Sequence, residues 1–350
     1  MLRDLTCHDD GEAPHAVELV VDKIEAALAG AWAVPVHRDP GPRVVTVTDN
    51  YDRLRYRSDA AARDARYSRY LGDGRMLRSH TTARIPGLLD RLAATGEAEV
   101  LLSAPGICYR RDVIDRRHVG EPHQLDLWLI RRSGRRLTED DLEAMVGLVV
   151  SAVLPGQRWR TVPNVHPYTL AGREIYIGEV EVGECGLAHP AVLAGSGLPP
   201  TASGLAMGLG LDRLAMLIKG IDDIRLLRST DPRVVAQLAD LEPYELVSTM
   251  PAARRDLSVA VSGDVDEELL GDRVRTALGG DARLVEEVTV LSDTSYVDLP
   301  VVARERLGIR PDQRNLLIRV ILRDLDATLT APRANALRDE LYAALHEGQA

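Results

Sequence analysis

The 350-residue sequence predicts an α+β protein with more than one domain. Three features carry that expectation. Residues 98–131 read as strand, loop and strand, the pattern of a hairpin. Residues 203–225, SGLAMGLGLDRLAMLIKGIDDIR, run from a glycine-punctuated apolar stretch directly into a helix. From about residue 251 onward, strands and helices follow a β-α-β-β-α-β order, which is ferredoxin-like.

In chain order, Val17, Val20, Val21, Ile24 and Leu28 give residues 16–29 a helical face, with Gly30 as a stop. Residues 32–42 are Pro-rich and read as a connector, and VVTVT at 44–48 alternates as a strand before a turn at Asp49-Asn50. The Arg- and Tyr-rich stretch 51–75 suits either a solvated surface or an RNA-facing or substrate-gating segment. Strands are expected at 106–113 and 122–131, joined by a loop over 114–121. Arg110 and Asp112 would then share one face of the first strand, and Gln124 and Asp126 one face of the second. Such a hairpin can set a guanidinium against a phosphate, with a carboxylate nearby for an ammonium group. Residues 138–152 form a helix capped by Thr138, with Glu139–Asp141 in the first turn. Pro243 and Pro251 bracket a junction.

In residues 203–225, Gly204, Gly208 and Gly210 precede a helix running from Leu211 to about Ile218. Glycines there fit either close strand–helix packing or the approach of a ligand to backbone. Arg213 sits in the first helical turn, where a cation opposes the macrodipole and is better placed to meet an anion in front of the helix. The combination favours phosphate chemistry.

Composition narrows the setting. Hydrophobic residues make up 45% and charged residues 27%, as in an ordinary globular protein. No apolar run approaches membrane-spanning length, and MLRDLTCHDD lacks the basic start and apolar core of a signal peptide, so a cytoplasmic location and no membrane partner are expected. Cys7, Cys108 and Cys185 are widely spaced, which argues against a zinc site or a disulfide framework. A net charge of −10 supplies no general field for nucleic acid; DNA is not an expected partner, and RNA contact must come from local patches. The chain has no phenylalanine, although it has 10 Tyr and 3 Trp.

The 203–225 string closely resembles motif 3 of class II aminoacyl-tRNA synthetases in the phenylalanine-specific branch. Residues 98–131 resemble motif 2 of that branch, through Tyr109-Arg110, Asp112, His118, Glu121 and His123-Gln124. Leu77–Ala83, LRSHTTA, resembles the family's Leu-Arg-Thr-His-Thr-Ser, and Asn50-Tyr51-Asp52 and Tyr67–Tyr70 resemble segments that precede it. His166–Gly172 matches the family's Phe-Pro-Phe-Thr-Glu-Pro-Ser, and Glu179–Pro190 resembles its Gly-Cys-Gly-Met-Val-His-Pro strand, with Cys185, Gly186 and His189-Pro190 retained. Pro251–Leu257 and Ala327–Thr330 resemble signatures of the ferredoxin-fold anticodon-binding domain that ends single-chain organelle enzymes of this type.

The resemblance implies a class II synthetase fold, an antiparallel sheet flanked by helices, followed by a ferredoxin-like domain. Its implied divisions are an N-terminal helix and connector at 1–43, a catalytic domain at 44–242, a linker at 243–250 and an anticodon-binding domain at 251–350. It assigns Arg110 to the α-phosphate and Arg213 to the γ-phosphate of ATP. His118 and Glu121 would also meet ATP, with Pro122 where the family stacks a Phe on adenine. Gln124 and Asp126 would meet the amino group, and Asp126-Leu127 replaces the family's Glu-Gly. His80, Thr82, His166, Tyr168 and Ala206 would line the amino-acid site. The family's Phe positions hold Pro122, Tyr168, Leu205 and Met207. The implied activity is ATP-dependent activation of an aromatic amino acid and its transfer to tRNA, with ATP and Mg2+ as cofactors. The alternatives are a divergent paralogue activating a modified aromatic amino acid, and a non-catalytic RNA-binding descendant.

Overall fold

Helix α1 (Ala16–Trp32) buries Val17, Val20, Val21, Ile24 and Leu28 along one face. The computed structural model describes every residue except 1, 2, 10, 248, 249 and 350. Gly30 does not end α1; the chain leaves it at Ala33, in the left-handed conformation. The Pro-rich connector contains a short strand, β1 (Val36–Arg38), and the alternating run at 44–48 yields only β2 (Val44–Thr46) before Thr48–Asp52 turns helical. Within the Arg- and Tyr-rich stretch and just beyond it, β3 (Tyr70–Gly72) and β4 (Arg75–Leu77) join β2 in a small antiparallel sheet ordered β2-β4-β3.

After α2 (Ile85–Thr95) come β5 (Glu99–Ile107) and β6 (His123–Arg131). The strand expected at 106–113 is therefore displaced: β5 ends at Ile107, and Arg110 and Asp112 lie in the connection to β6. The Pro105-Gly106 pair reads as a strand break. It is tolerated because β1 pairs only with Leu101–Ser103, so Pro105 lies where β5 is an edge on that side. Gly106 also leaves room for Arg78, whose guanidinium a side chain there would strike. Helix α3 (Glu139–Val153) starts with a capping box between Thr138 and Asp141. The remaining elements of this part are β7 (Trp159–Pro163), β8 (Thr169–Ile177), β9 (Val180–Ala188), α4 (Pro190–Gly195), β10 (Ser203–Gly210), α5 (Leu211–Lys219) and α6 (Pro232–Gln237).

The chain divides into two compact units. One comprises Met1–Arg110, Glu121–Ile221 and Ala236–Tyr244; the other comprises Arg111–Gly120, Asp222–Val235 and Glu245–Ala350. The first holds a seven-stranded sheet ordered β1-β5-β6-β10-β9-β8-β7, antiparallel except for β1 against β5. Its two faces are set by strand alternation. On one face Met207 and Leu209 of β10 meet Val146, Val149 and Val150 of α3 and Leu214 of α5, around a small apolar gap. On the other, Trp128, Ala206 and Tyr168 pack with Leu88, Leu89 and Leu92 of α2 and with Val192 and Leu193 of α4. The candidate amino-acid-site residues Asp126, Tyr168 and Ala206 lie on this second face.

The second unit has β11 (Ala253–Ser262), α7 (Glu267–Leu278), β12 (Val285–Ser295), α8 (Val301–Leu307), β13 (Gln313–Leu322) and α9 (Ala331–Leu345). Its sheet is ordered β11-β13-β12 and antiparallel. The last strand of the expected β-α-β-β-α-β order is not formed among the described residues. Instead, Glu347 N–H donates to the Ala260 carbonyl of β11 at 2.8 Å. The core joins Val259, Val261, Val274, Ile318, Leu337 and Leu341, and it includes Ile114 from the β5–β6 connection. That connection is fastened in several ways. Arg275 donates to the carbonyls of Asp112 at 2.6 Å and Val113 at 2.8 Å, and Val288 N–H donates to the Ile114 carbonyl. Arg116 pairs with Glu286, which is buried and also meets Arg323 and Arg225.

Candidate active site

Strand register builds the floor of a recess. On β10, Ala206, Gly208 and Gly210 point to the site face, opposite Trp128, Asp126 and Gln124 of β6. On the other side of β10, Ala206 faces Gly186 and Gly208 faces Glu184 of β9. The small residues leave space that their neighbours border. A Cβ placed on Gly208 would lie 3.6 Å from Asp126 Oδ2, 3.6 Å from Glu184 Cγ and 3.8 Å from Glu184 Oε1. Two carboxylates thus flank one open strand position.

Each carboxylate is held by donors. Asp126 accepts from the Thr82 hydroxyl and, at 2.7 Å, from the Trp128 indole N–H. Burial pushes its carboxyl up to about 7; the two hydrogen bonds oppose that shift and the Glu184 charge adds to it. Glu184 accepts from the Tyr168 hydroxyl and lies 2.9 Å from His166 Nε2. Burial, the largest single influence, pushes Glu184 upward too, but His166, Tyr168 and Arg110 together outweigh it, so the net shift is downward. The two acids therefore differ near neutral pH: Glu184 is ionised and Asp126 is partly protonated.

Aromatic rings close one side of the recess. His80 stacks on Tyr56 with centroids 5.8 Å apart, and Tyr56 lies 6.2 Å from Tyr168. Tyr168 stands between Trp128 at 6.4 Å and His166 at 5.9 Å, with both neighbours nearly parallel to it. Both ring nitrogens of His80 are buried without a hydrogen-bond partner. Burial, followed by the nearby Arg110 charge, lowers His80 to about 4, so its ring is neutral and offers one donor and one acceptor.

The segments that lead into the recess act as scaffold. Asn50 donates to Ser79 Oγ at 2.8 Å and accepts from Ser79 N–H at 3.2 Å, which fixes the turn presenting His80. Arg78 is buried and donates to the Ile107 carbonyl at 2.8 Å. Arg110 donates its Nε–H to the Ser79 carbonyl at 2.7 Å. Its two terminal nitrogens have no hydrogen bond or ion pair among the described residues, so they are available to an anion. His123 accepts from Leu5 N–H through Nε2 at 3.0 Å, which puts the ring proton of the neutral form on Nδ1, facing Asp212 at 2.9 Å. Asp212 also accepts from the His123 N–H, so it ties α5 to the start of β6. Arg213, the next residue, donates to the Glu181 carbonyl at 2.9 Å and pairs with the Glu181 carboxylate.

The recess thus brings together His80, Thr82, Asp126, His166, Tyr168 and Ala206, with Gln124 on the adjoining row. Arg110 belongs to the same unit, and its charge is felt at His80 and Glu184. Pro122 accepts from Cys108 N–H at 2.8 Å. His118 is counted with the second unit, where its Nδ1 lies 2.8 Å from the Asp115 carboxylate; Glu121 is counted with the first. Sequence reasoning missed Glu184, Trp128 and Tyr56. Glu184 is legible only once the register of β9 against β10 is known.

Among the described residues, no three His, Cys, Asp or Glu side chains cluster as a metal site, and no helix is long and apolar enough to cross a membrane. Mg2+ needs only one or two protein carboxylates when it arrives with substrate phosphates. The Glu181 carboxylate beside Arg213, 37% exposed, is an oxygen donor of the type Mg2+ takes.

Residues 9–238 match the model of the tRNA synthetases class II core domain (F). The chain is 33% identical over 256 residues to the phenylalanine–tRNA ligase alpha subunit of Acaryochloris marina, covering 65% of this chain and 75% of that protein. It is 31% identical to the alpha subunit of Thermosynechococcus vestitus, covering 64% of this chain and 65% of that one. It thus spans slightly less than two thirds of the second relative's length. A solved structure of the Desulfitobacterium hafniense pyrrolysyl tRNA synthetase PylSc aligns with a TM-score of 0.47 at 17% identity, over 61% of this chain and 72% of that one. By the extent of the family match and the identity to the first of these relatives, the chain belongs to the class II tRNA synthetase family, in its phenylalanine-type core branch.

Proposed function

We propose that the chain activates an aromatic amino acid with ATP, forming the aminoacyl-adenylate, and passes it to tRNA. The observation that carries this reading is Arg110, anchored through Nε to the Ser79 carbonyl with both terminal nitrogens open. A guanidinium held this way matches a phosphate in fork geometry and needs no reorganisation. In the reaction, the amino acid's carboxylate oxygen attacks the α-phosphorus, a new P–O bond forms, and the bond to pyrophosphate breaks. Arg110 would steady the α-phosphate, and Arg213 would turn from Glu181 to the γ-phosphate. Asp126 and the acceptor nitrogen of His80 would take the α-ammonium. The protein supplies position and charge rather than a nucleophile. Glu181 and the substrate phosphates would hold Mg2+, which would supply charge neutralisation for pyrophosphate when bound.

The test is amino-acid-dependent pyrophosphate exchange with the full chain and with Arg110→Ala. Exchange in the parent and its loss by at least a hundredfold in the variant are expected. Exchange that survives the substitution would remove Arg110 from the mechanism, and its absence in the parent across all amino acids would refute the activity.

A further inference from the structure

We infer that Glu184 selects the amino acid's side chain, and that the preferred substrate carries a hydrogen-bond donor, a hydroxyl or an amine, on that side chain. The inference rests on reading the recess over Gly208 as the amino-acid site. A free amino acid has one ammonium group, and Asp126 with His80 already supplies acceptors for it. Glu184 is a second carboxylate bordering the same spot, on the opposite side of Gly208.

Its oxygens are not exhausted. Oε1 accepts the Tyr168 hydroxyl and Oε2 faces His166, which leaves a lone pair on each for another donor. The side chain is 39% exposed, so a ligand lying over Gly208 can reach it. It is held ionised by His166 and Tyr168. A bare phenyl or alkyl group laid over it would strip water from a charged group and return nothing, whereas a hydroxyl or amine would replace that water.

The rings point the same way. A phenyl group inserted between two parallel rings needs centroids about 7 Å apart, two contact layers of roughly 3.5 Å. Tyr168 is 5.9 Å from His166 and 6.4 Å from Trp128, so neither gap admits a ring. The substrate side chain therefore meets the polar edge of this stack, where the Tyr168 hydroxyl and Glu184 lie, rather than an apolar slot.

The experiment is pyrophosphate exchange with the full chain on phenylalanine, tyrosine, 4-aminophenylalanine, histidine and leucine, for the parent, Glu184→Ala and Glu184→Gln. Melting temperatures of all three proteins establish that the variants are folded. In the parent, kcat/KM should be at least tenfold higher for a donor-bearing amino acid than for phenylalanine. Glu184→Ala should bring kcat/KM for the donor-bearing amino acids down to the level of phenylalanine. Glu184→Gln, which keeps an acceptor but loses the charge, should show a preference for donor-bearing amino acids intermediate between those of the parent and Glu184→Ala. Robust exchange with phenylalanine preferred, or a preference unchanged in Glu184→Ala, would overturn the inference and leave the activity standing. No exchange with any amino acid would instead overturn the activity, and the inference with it.

Discussion

Arg213 is paired with Glu181, through both the carboxylate and the backbone carbonyl of that residue. The pair is only partly buried, with side chains 25% and 37% exposed, so it adds little to stability. Arg213→Ala should leave the melting temperature nearly unchanged and lower kcat/KM for ATP by about a hundredfold or more. Thermal melts and exchange kinetics check both halves. Activation that persists in the variant would exclude the γ-phosphate role.

Asp126 should make amino-acid binding pH-dependent. Its carboxyl titrates at about 7, raised chiefly by burial, and an ammonium group needs the ionised form. The KM for the amino acid should rise as pH falls below about 7, approaching tenfold per unit, and Asp126→Asn should flatten the profile. Stability runs the other way. A carboxyl raised above its unfolded value favours the fold when protonated, so its contribution is complete below about pH 4 and is lost as pH rises through about 7. Urea midpoints across that window, measured on parent and Asp126→Asn, check the sign.

Gly208→Ala should separate binding from folding. The added methyl meets its neighbours at 3.6 Å or more, ordinary contact, so stability should change by less than about 1 kcal/mol. The same methyl stands on the recess floor between Asp126 and Glu184. The KM for the amino acid should rise about tenfold or more with that for ATP unchanged. Gly186→Ala is the contrast, since its Cβ would lie 2.6 Å from the Thr169 Cβ and should cost about 1–3 kcal/mol of stability.

The β5–β6 connection should report on the second unit. Ile114→Ala removes a side chain from that unit's core and should destabilise it by about 2–4 kcal/mol. Arg275→Ala removes the donors to the Asp112 and Val113 carbonyls and should speed amide exchange across residues 111–120. Hydrogen-exchange mass spectrometry reads this directly. Unchanged protection of that peptide would show that Arg275 does not hold it.

Much of the site was legible where chemistry and local pattern coincide. Gly204, Gly208 and Gly210 leading into α5, with Arg213 in its first turn, identify a strand–helix junction from sequence alone. Asp126 and Gln124 share the expected face because β6 falls where its alternation puts it. The strand expected over 106–113 failed because Pro105-Gly106 reads as a boundary, and only pairing shows that β5 is an edge there. Glu184 stayed hidden because its meaning lies in a neighbour on another strand. The missing phenylalanine has mixed consequences: Leu205 is fully buried, whereas Met207 borders the apolar gap beneath the sheet.

Residues 111–120 and 222–235 belong to the second unit, although segments of the first precede and follow both. A protease cutting once between Tyr244 and Glu245 would therefore not yield two whole bodies. The N-terminal fragment would carry away Ile114, Arg116 and Arg225, leaving a hole in the other fragment's core and Glu286 short of two cationic partners. The two fragments should co-elute after such a nick and part only under denaturant. A gene for the C-terminal half alone would encode an incomplete fold, whereas the N-terminal half carries every segment of the first unit.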